Sequence, residues 1–155
     1  MYKIKLSPYH RLFYNEWKID PQRRDYNVVL DQQLHGTLDV SRLRSALVRF
    51  VADHLLLNSH IEAVDEELYW VVNDGITELD YFESQITDAE IFKYASQAFD
   101  LERGPLYRSV IIKLADNRFR FIIVSHHVLV DGLSTDLGVI KQIPLFYLYY
   151  KLILI

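Results

Sequence analysis

Apolar residues recur along this chain at two periods, and the changes between them divide it into short elements. Residues 2–6 alternate and predict a short strand. Ser7 then stands as an N-cap with Pro8 at the first helical position. Leu12, Phe13, Glu16 and Trp17 follow at helical spacing, so a helix is expected to Ile19, where Asp20-Pro21 stops it. Residues 26–34 predict a strand closed by His35-Gly36. Asp39 or Ser41 starts a second helix whose apolar stripe is Leu43, Ala46, Leu47, Phe50 and Val51. Residues 55–63 and 67–72 predict neighbouring strands joined through Asp65-Glu66. Asn73-Asp74-Gly75 is a turn, and residues 79–82 predict an edge strand. Thr87 caps a third helix with Asp88 and Glu90 in its first turn, where acids suit the helix dipole.

Residues 99–105 form a turn-rich connector. Residues 107–114 and 118–124 then predict a hairpin around Ala115-Asp116-Asn117. The second of these strands is apolar throughout and runs into Ser125-His126-His127-Val128-Leu129-Val130-Asp131-Gly132-Leu133-Ser134. A helix is expected over 133–142, stopped by Pro144. The mixture predicts an α/β fold, an α+β two-layer sandwich with a mixed sheet packed against helices.

Composition narrows the function classes. The 155 residues are half hydrophobic and one quarter charged, which is globular, and one domain is the default. A net charge of −4 without a clustered basic face argues against nucleic acid as a partner. There is no cysteine, so disulfides and thiolate metal sites are excluded. The N-terminus lacks the apolar core of a signal peptide, and the cytoplasm is the expected compartment. Residues 143–155 carry one charge, Lys151. This tail is shorter than the roughly 20 residues of a membrane-spanning helix, so no membrane span is expected. Being apolar on every face, it is expected to be buried against a partner or a second copy.

Candidate chemistry concentrates at the central stretch. Strand alternation sends His126 and His127 to opposite faces, one to the core and one outward toward a cleft. That argues against a metal held by both. Asp131 can fold back near the strand end, and Gly132 permits a tight turn. A histidine fixed by its neighbours can act as a general base near neutral pH, and an aspartate can orient it or brace the loop. The same residues also read simply as polar caps beside an Asp-Gly turn.

The string His126-His127-x-x-x-Asp131-Gly132 resembles the signature of the condensation domains of non-ribosomal peptide synthetases, in the chloramphenicol-acetyltransferase-like superfamily. Leu6-Ser7-Pro8-Tyr9-His10-Arg11-Leu12-Phe13 resembles the N-terminal motif of that family. Phe99-Asp100-Leu101-Glu102-Arg103-Gly104-Pro105-Leu106-Tyr107-Arg108 resembles its connector. The resemblance implies one chloramphenicol-acetyltransferase-like lobe over residues 1–142, followed by an atypical apolar tail over 143–155, with the second lobe absent. It implies that His127 assists attack of a carrier-bound amine on a carrier-bound thioester, as base or by positioning the amine. It implies structural support from His126, Asp131 and Gly132. It implies no metal and no bound cofactor, since substrates arrive on phosphopantetheine arms of carrier protein domains.

Two departures stand against that pattern. Asp53 and Asn58 occupy positions where the family keeps arginines, leaving Arg49 as the stand-in partner for Asp131. His54 and His60 read as structural histidines. The missing second lobe implies negligible activity for this piece alone, because proximity and orientation carry much of such a reaction. The start at Met1 without a carrier segment leads to the expectation of a domain that opens a polypeptide, either a starter domain taking an acyl donor or one receiving its donor from a separate protein. Two other readings remain: a non-catalytic remnant or interaction module, and a small-molecule acyltransferase with its site between subunits.

Overall fold

The computed structural model describes residues 3–75, 79–83 and 86–130. Seven strands and three α-helices occur among them: β1 (Lys3–Lys5), α1 (Pro8–Ile19), β2 (Asn27–His35), α2 (Val40–Asp53), β3 (Ser59–Val64), β4 (Glu67–Val72), β5 (Asp80–Phe82), α3 (Asp88–Ala95), β6 (Tyr107–Ala115) and β7 (Arg118–His126).

Local sequence sets most of the boundaries. The Ser7 side chain accepts the His10 N–H, Asp39 accepts the Arg42 N–H, and Thr87 with Glu90 forms a reciprocal capping box. One expected strand is shortened. Leu55–Asn58 is a 3₁₀ turn, and β3 begins only at Ser59. The apolar run of Leu55, Leu56 and Leu57 satisfies strand and helix patterns alike, and short apolar runs do not distinguish the two.

The strands form two sheets. The smaller is antiparallel in the order β1-β4-β3, and the larger is mixed in the order β2-β7-β6-β5, with only β5 and β6 parallel. β7 lies inside the larger sheet. Its even-numbered residues Ile122 and Val124 join Val110 and Ile112 of β6 in a core with Phe13, Tyr14 and Trp17 of α1 and Ile61, Leu68 and Trp70 of the small sheet. Its odd-numbered Phe121 and Ile123 join Ile111 against Leu43, Leu47, Phe50 and Val51 of α2. Coverage on both faces explains why this strand reads as a continuous apolar run rather than an alternating one.

The β3–β4 loop is the two-residue turn Asp65-Glu66, with φ of 48° and 66°. Left-handed backbone at two consecutive non-glycine residues is costly. Glu66→Gly is therefore expected to stabilise the fold by about 1 kcal/mol, read as a higher urea midpoint. An unchanged or lower midpoint would contradict that.

The connector motif is explained by docking. The Trp17 indole N–H donates to the Phe99 carbonyl at 3.0 Å, and the Tyr14 hydroxyl donates to Glu102 at 2.6 Å. Lys18 pairs with Glu102, and the Ile61 N–H donates to the Leu101 carbonyl. Gly104 has φ +58°, and a Cβ there would lie 3.2 Å from Asn73 Nδ2, so glycine suits this point. Arg108 ends the motif by capping α3. Its guanidinium donates to the carbonyls of Tyr94, Ala95 and Gln97 and lies over the Phe99 ring. Those of Tyr94 and Ala95 are among the carbonyls a helix C-terminus leaves unpaired. The connector thus ties α1, α3 and both sheets together behind the end of β7.

Candidate active site

β7 ends at His126 and the chain turns at once. The register places His126 opposite Asn27 of β2. The His126 N–H donates to Leu106 O at 2.9 Å, and the His127 N–H donates to Tyr26 O at 2.8 Å. The backbone at both histidines is therefore anchored, one to each neighbouring strand's start.

His126 is almost fully buried, at 2% exposure. Its ring meets the edges or faces of Phe13, Tyr26 and Phe99 at centroid distances of 5.7–6.2 Å. Nδ1 accepts the Val128 N–H at 3.0 Å, which requires that nitrogen to be unprotonated. Burial pulls the His126 pKa down to about 4, helped by the neighbouring charge of His127. His126 is thus a neutral side chain that holds the turn closed. A group with these properties is a poor proton acceptor at neutral pH.

His127 differs in setting. It is half-buried, its ring stacks on Phe13 at 5.4 Å and 21°, and Tyr26 stands edge-on at 6.4 Å. Its Nδ1 is buried and has no hydrogen-bond partner among the described residues. Nε2 is consequently the nitrogen available to an outside molecule. The expectation that the two histidines face opposite ways is corrected here. Alternation applies only while the strand continues, and it stops at His126, so the turn brings both rings against Phe13 and Tyr26.

A polar network surrounds this aromatic group. The Tyr26 hydroxyl donates to Glu16, which also accepts from Arg23 at 2.8 Å. Arg23 lies over the Tyr26 ring at 4.6 Å and chelates Asp25 through two nitrogens. Those hydrogen bonds hold the Asp25 carboxyl below its usual range. The sequence reading did not find Tyr26, Glu16 or Arg23. Their only signal was position, since Phe13 and Glu16 lie one turn apart on α1 and Arg23 and Tyr26 close the following loop.

Asp131, Gly132, the helix expected over 133–142 and the apolar tail lie outside the described residues. Arg49, the stand-in partner for Asp131, pairs with Asp53 at 3.1 Å on the exposed face of α2. Asn58 is buried and donates to the Asn73 carbonyl, bracing the end of β4. The two positions that depart from the family pattern are thus each locally engaged. His54 Nδ1 donates to the Phe50 carbonyl and His60 Nδ1 to the Asn73 side-chain oxygen, which gives both structural roles. No group of three or more potential metal ligands occurs among the described residues. None of the described helices is long and apolar enough to cross a membrane.

A cavity of about 690 Å³ is lined by Trp17, Arg24, Phe92, Lys93 and Phe99 among others, and neither histidine borders it. Cavity size and candidate chemistry therefore separate. The anchored turn and its stacked imidazole carry the site.

Residues 3–151 match the sequence profile of the condensation domain. The chain belongs to the condensation-domain family. Surfactin synthase subunit 2 of Bacillus subtilis (strain 168) is 31% identical over 134 residues, covering 85% of this chain and 4% of that protein. Tyrocidine synthase 2 of Brevibacillus parabrevis is 32% identical over 140 residues, covering 88% and 4%. Among solved structures, the starter condensation domain of rhizomide synthetase superposes with a TM-score of 0.84 at 16% identity, covering 95% of this chain and 39% of that one. A four-domain nonribosomal peptide synthetase bound to AMP and glycine gives 0.81 at 18% identity, covering 95% and 12%. At these identities the structural likeness shows the condensation-domain fold. The chain spans about 4% of the length of these curated relatives and well under half of the starter domain.

Proposed function

We propose that this chain is the N-terminal lobe of a condensation domain that forms amide bonds in non-ribosomal peptide biosynthesis, and that His127 is its reacting histidine. The observation that carries the reading is the family match across the histidine pair, at a turn where one histidine is neutral and buried and the other half-exposed.

In this reading donor and acceptor arrive on phosphopantetheine arms of carrier domains. The acceptor's amine nitrogen bonds to the donor's thioester carbonyl carbon, and the carbon–sulfur bond breaks. His127 Nε2 accepts a hydrogen bond from the amine, takes its proton as the new bond forms and passes it to the departing sulfur. No oxidant, metal or bound cofactor enters the balance. His126 fixes the turn from which His127 projects. Asp131 and Gly132 complete the support of the loop. The other wall of the site belongs to the remainder of the domain, so the lobe alone contributes little rate. The working compartment is the cytoplasm.

The test uses the synthetase that carries this lobe. Its carriers are loaded with a thioester donor and an aminoacyl acceptor, and intact-protein mass spectrometry follows the acceptor carrier. The expected result is a mass gain equal to the donor acyl group. Carriers that load fully but never exchange acyl groups would overturn the reading in favour of a non-catalytic interaction module, which the changed Asp53 and Asn58 positions would then explain.

A further inference from the structure

Phe13 closes the N-terminal motif, and the reaction described above gives it no task. Its ring is buried. Tyr9, Tyr26 and His126 meet it near perpendicular, at 5.1 Å and 80°, 4.8 Å and 80°, and 6.2 Å and 86°. Among the described residues only His127 lies nearly parallel to it, at 5.4 Å and 21°. Edge-to-face contacts from several sides fix the plane of an aromatic ring, because each edge carries partial positive charge toward a face that carries partial negative charge. A ring fixed in this way offers one remaining face as a platform. The imidazole occupies that platform.

The platform is itself braced. Tyr26 receives the His127 backbone N–H on its carbonyl and presents its ring to both Phe13 and His127. Its hydroxyl is bound to Glu16, one turn along α1 from Phe13. The His127 backbone, the His127 ring and α1 are therefore joined in a closed loop of contacts. By contrast, no hydrogen bond from the described residues reaches Nδ1 of His127. Orientation of this histidine depends on stacking where many histidines depend on a hydrogen-bonded carboxylate.

We propose that Phe13 is a positioning residue that sets the ring plane of His127, with Tyr26 as its brace. The inference rests on the reading of His127 as the reacting histidine. It predicts a loss in the chemical step without a loss in carrier binding, because a tilted imidazole misdirects Nε2 while leaving the docking surfaces intact.

The experiment compares Phe13→Leu with Phe13→Tyr. Leucine fills the space without a plane, and tyrosine keeps the plane. Phe13→Met serves if the leucine variant does not fold, since its flexible thioether fills irregular space. In the parent synthetase Phe13→Leu is expected to lower kcat on the order of tenfold with KM for loaded carrier within about twofold, and Phe13→Tyr to restore it. In the chain itself the His127 ring-proton resonance, identified by its disappearance in His127→Ala, is expected to move in Phe13→Leu and return in Phe13→Tyr. A folded Phe13→Leu protein with an unmoved resonance, or with a moved resonance and unchanged kcat, overturns the proposal. If His127→Ala itself leaves kcat unchanged, the assignment of His127 has failed and the positioning role falls with it. The resonance still reports whether the stack exists, so the two failures are distinguishable.

Discussion

Replacing His127 with alanine in the synthetase that carries this lobe is expected to reduce amide formation by about 10²–10⁴-fold, the usual range for a positioned proton-transfer group. The reduction should appear in kcat. His127 presents one half-exposed ring at a turn, a small area for any docking partner to lose, so under the proposed reading KM for loaded carriers should change little. The fold should survive, since the ring is half-buried and the backbone N–H to Tyr26 O is untouched by the substitution. Single-turnover acyl transfer between preloaded carriers measures the effect directly. Near-normal turnover by a folded variant would remove His127 from the chemistry. His126→Ala would act differently, because its imidazole fills a buried space among Phe13, Tyr26 and Phe99. Its first effect would be on stability.

His126 also makes the fold acid-sensitive. Its pKa in the folded chain is about 4, against 6.5 for an ordinary histidine. The unfolded chain therefore binds a proton in the interval where the folded chain does not. Stability contributed by neutral His126 is fully present above about pH 6.5, declines as pH falls and is exhausted near pH 4. The size of the decline is on the order of 3 kcal/mol, at 1.36 kcal/mol per pKa unit. Protonation would charge a group at 2% exposure and break the bond from the Val128 N–H to Nδ1. The carboxyls held below their usual range, Asp25 by Arg23 and Glu102 by Lys18, lose their contributions only at lower pH. Urea midpoints at pH 7 and pH 5 report His126 together with the partly buried His10, whose pKa burial also lowers. A marked drop is expected for the unaltered chain. His126→Asn keeps an acceptor for the Val128 N–H without titrating, so its midpoint should be lower at pH 7 and fall less than that of the unaltered chain, the remaining slope coming from His10. An unaltered chain equally stable at both pH values would refute the buried neutral state.

Much of the fold could be read from the chain because it is encoded locally. Ser7-Pro8, Asp39 and Thr87 with Glu90 satisfy the free N–H groups of helix starts within a few residues, and each starts a helix where expected. The hairpin turns at Asp65-Glu66 and Asp116-Asn117 fall where polar residues interrupt apolar runs. Residues 55–58 were misread because three consecutive leucines carry no period, and packing chose a 3₁₀ turn there. The connector's meaning was also hidden. Its sequence shows a string of residues, whereas the structure shows Arg108 capping α3 and Trp17 holding Phe99 from a helix 82 residues earlier.

The site divides along the same line. Sequence alone determined that a histidine pair leaves a buried strand late in the chain, and that the pair belongs to a recognisable signature with matching motifs in order. Those are facts of spacing and residue type. Tertiary structure decided how the two histidines differ. Long-range packing buries His126 among Phe13, Tyr26 and Phe99, and desolvation then keeps it neutral. It also places His127 on the face of Phe13, a residue 114 positions earlier in the chain. Burial and ring orientation depend on which distant side chains surround a residue, and no local pattern records that.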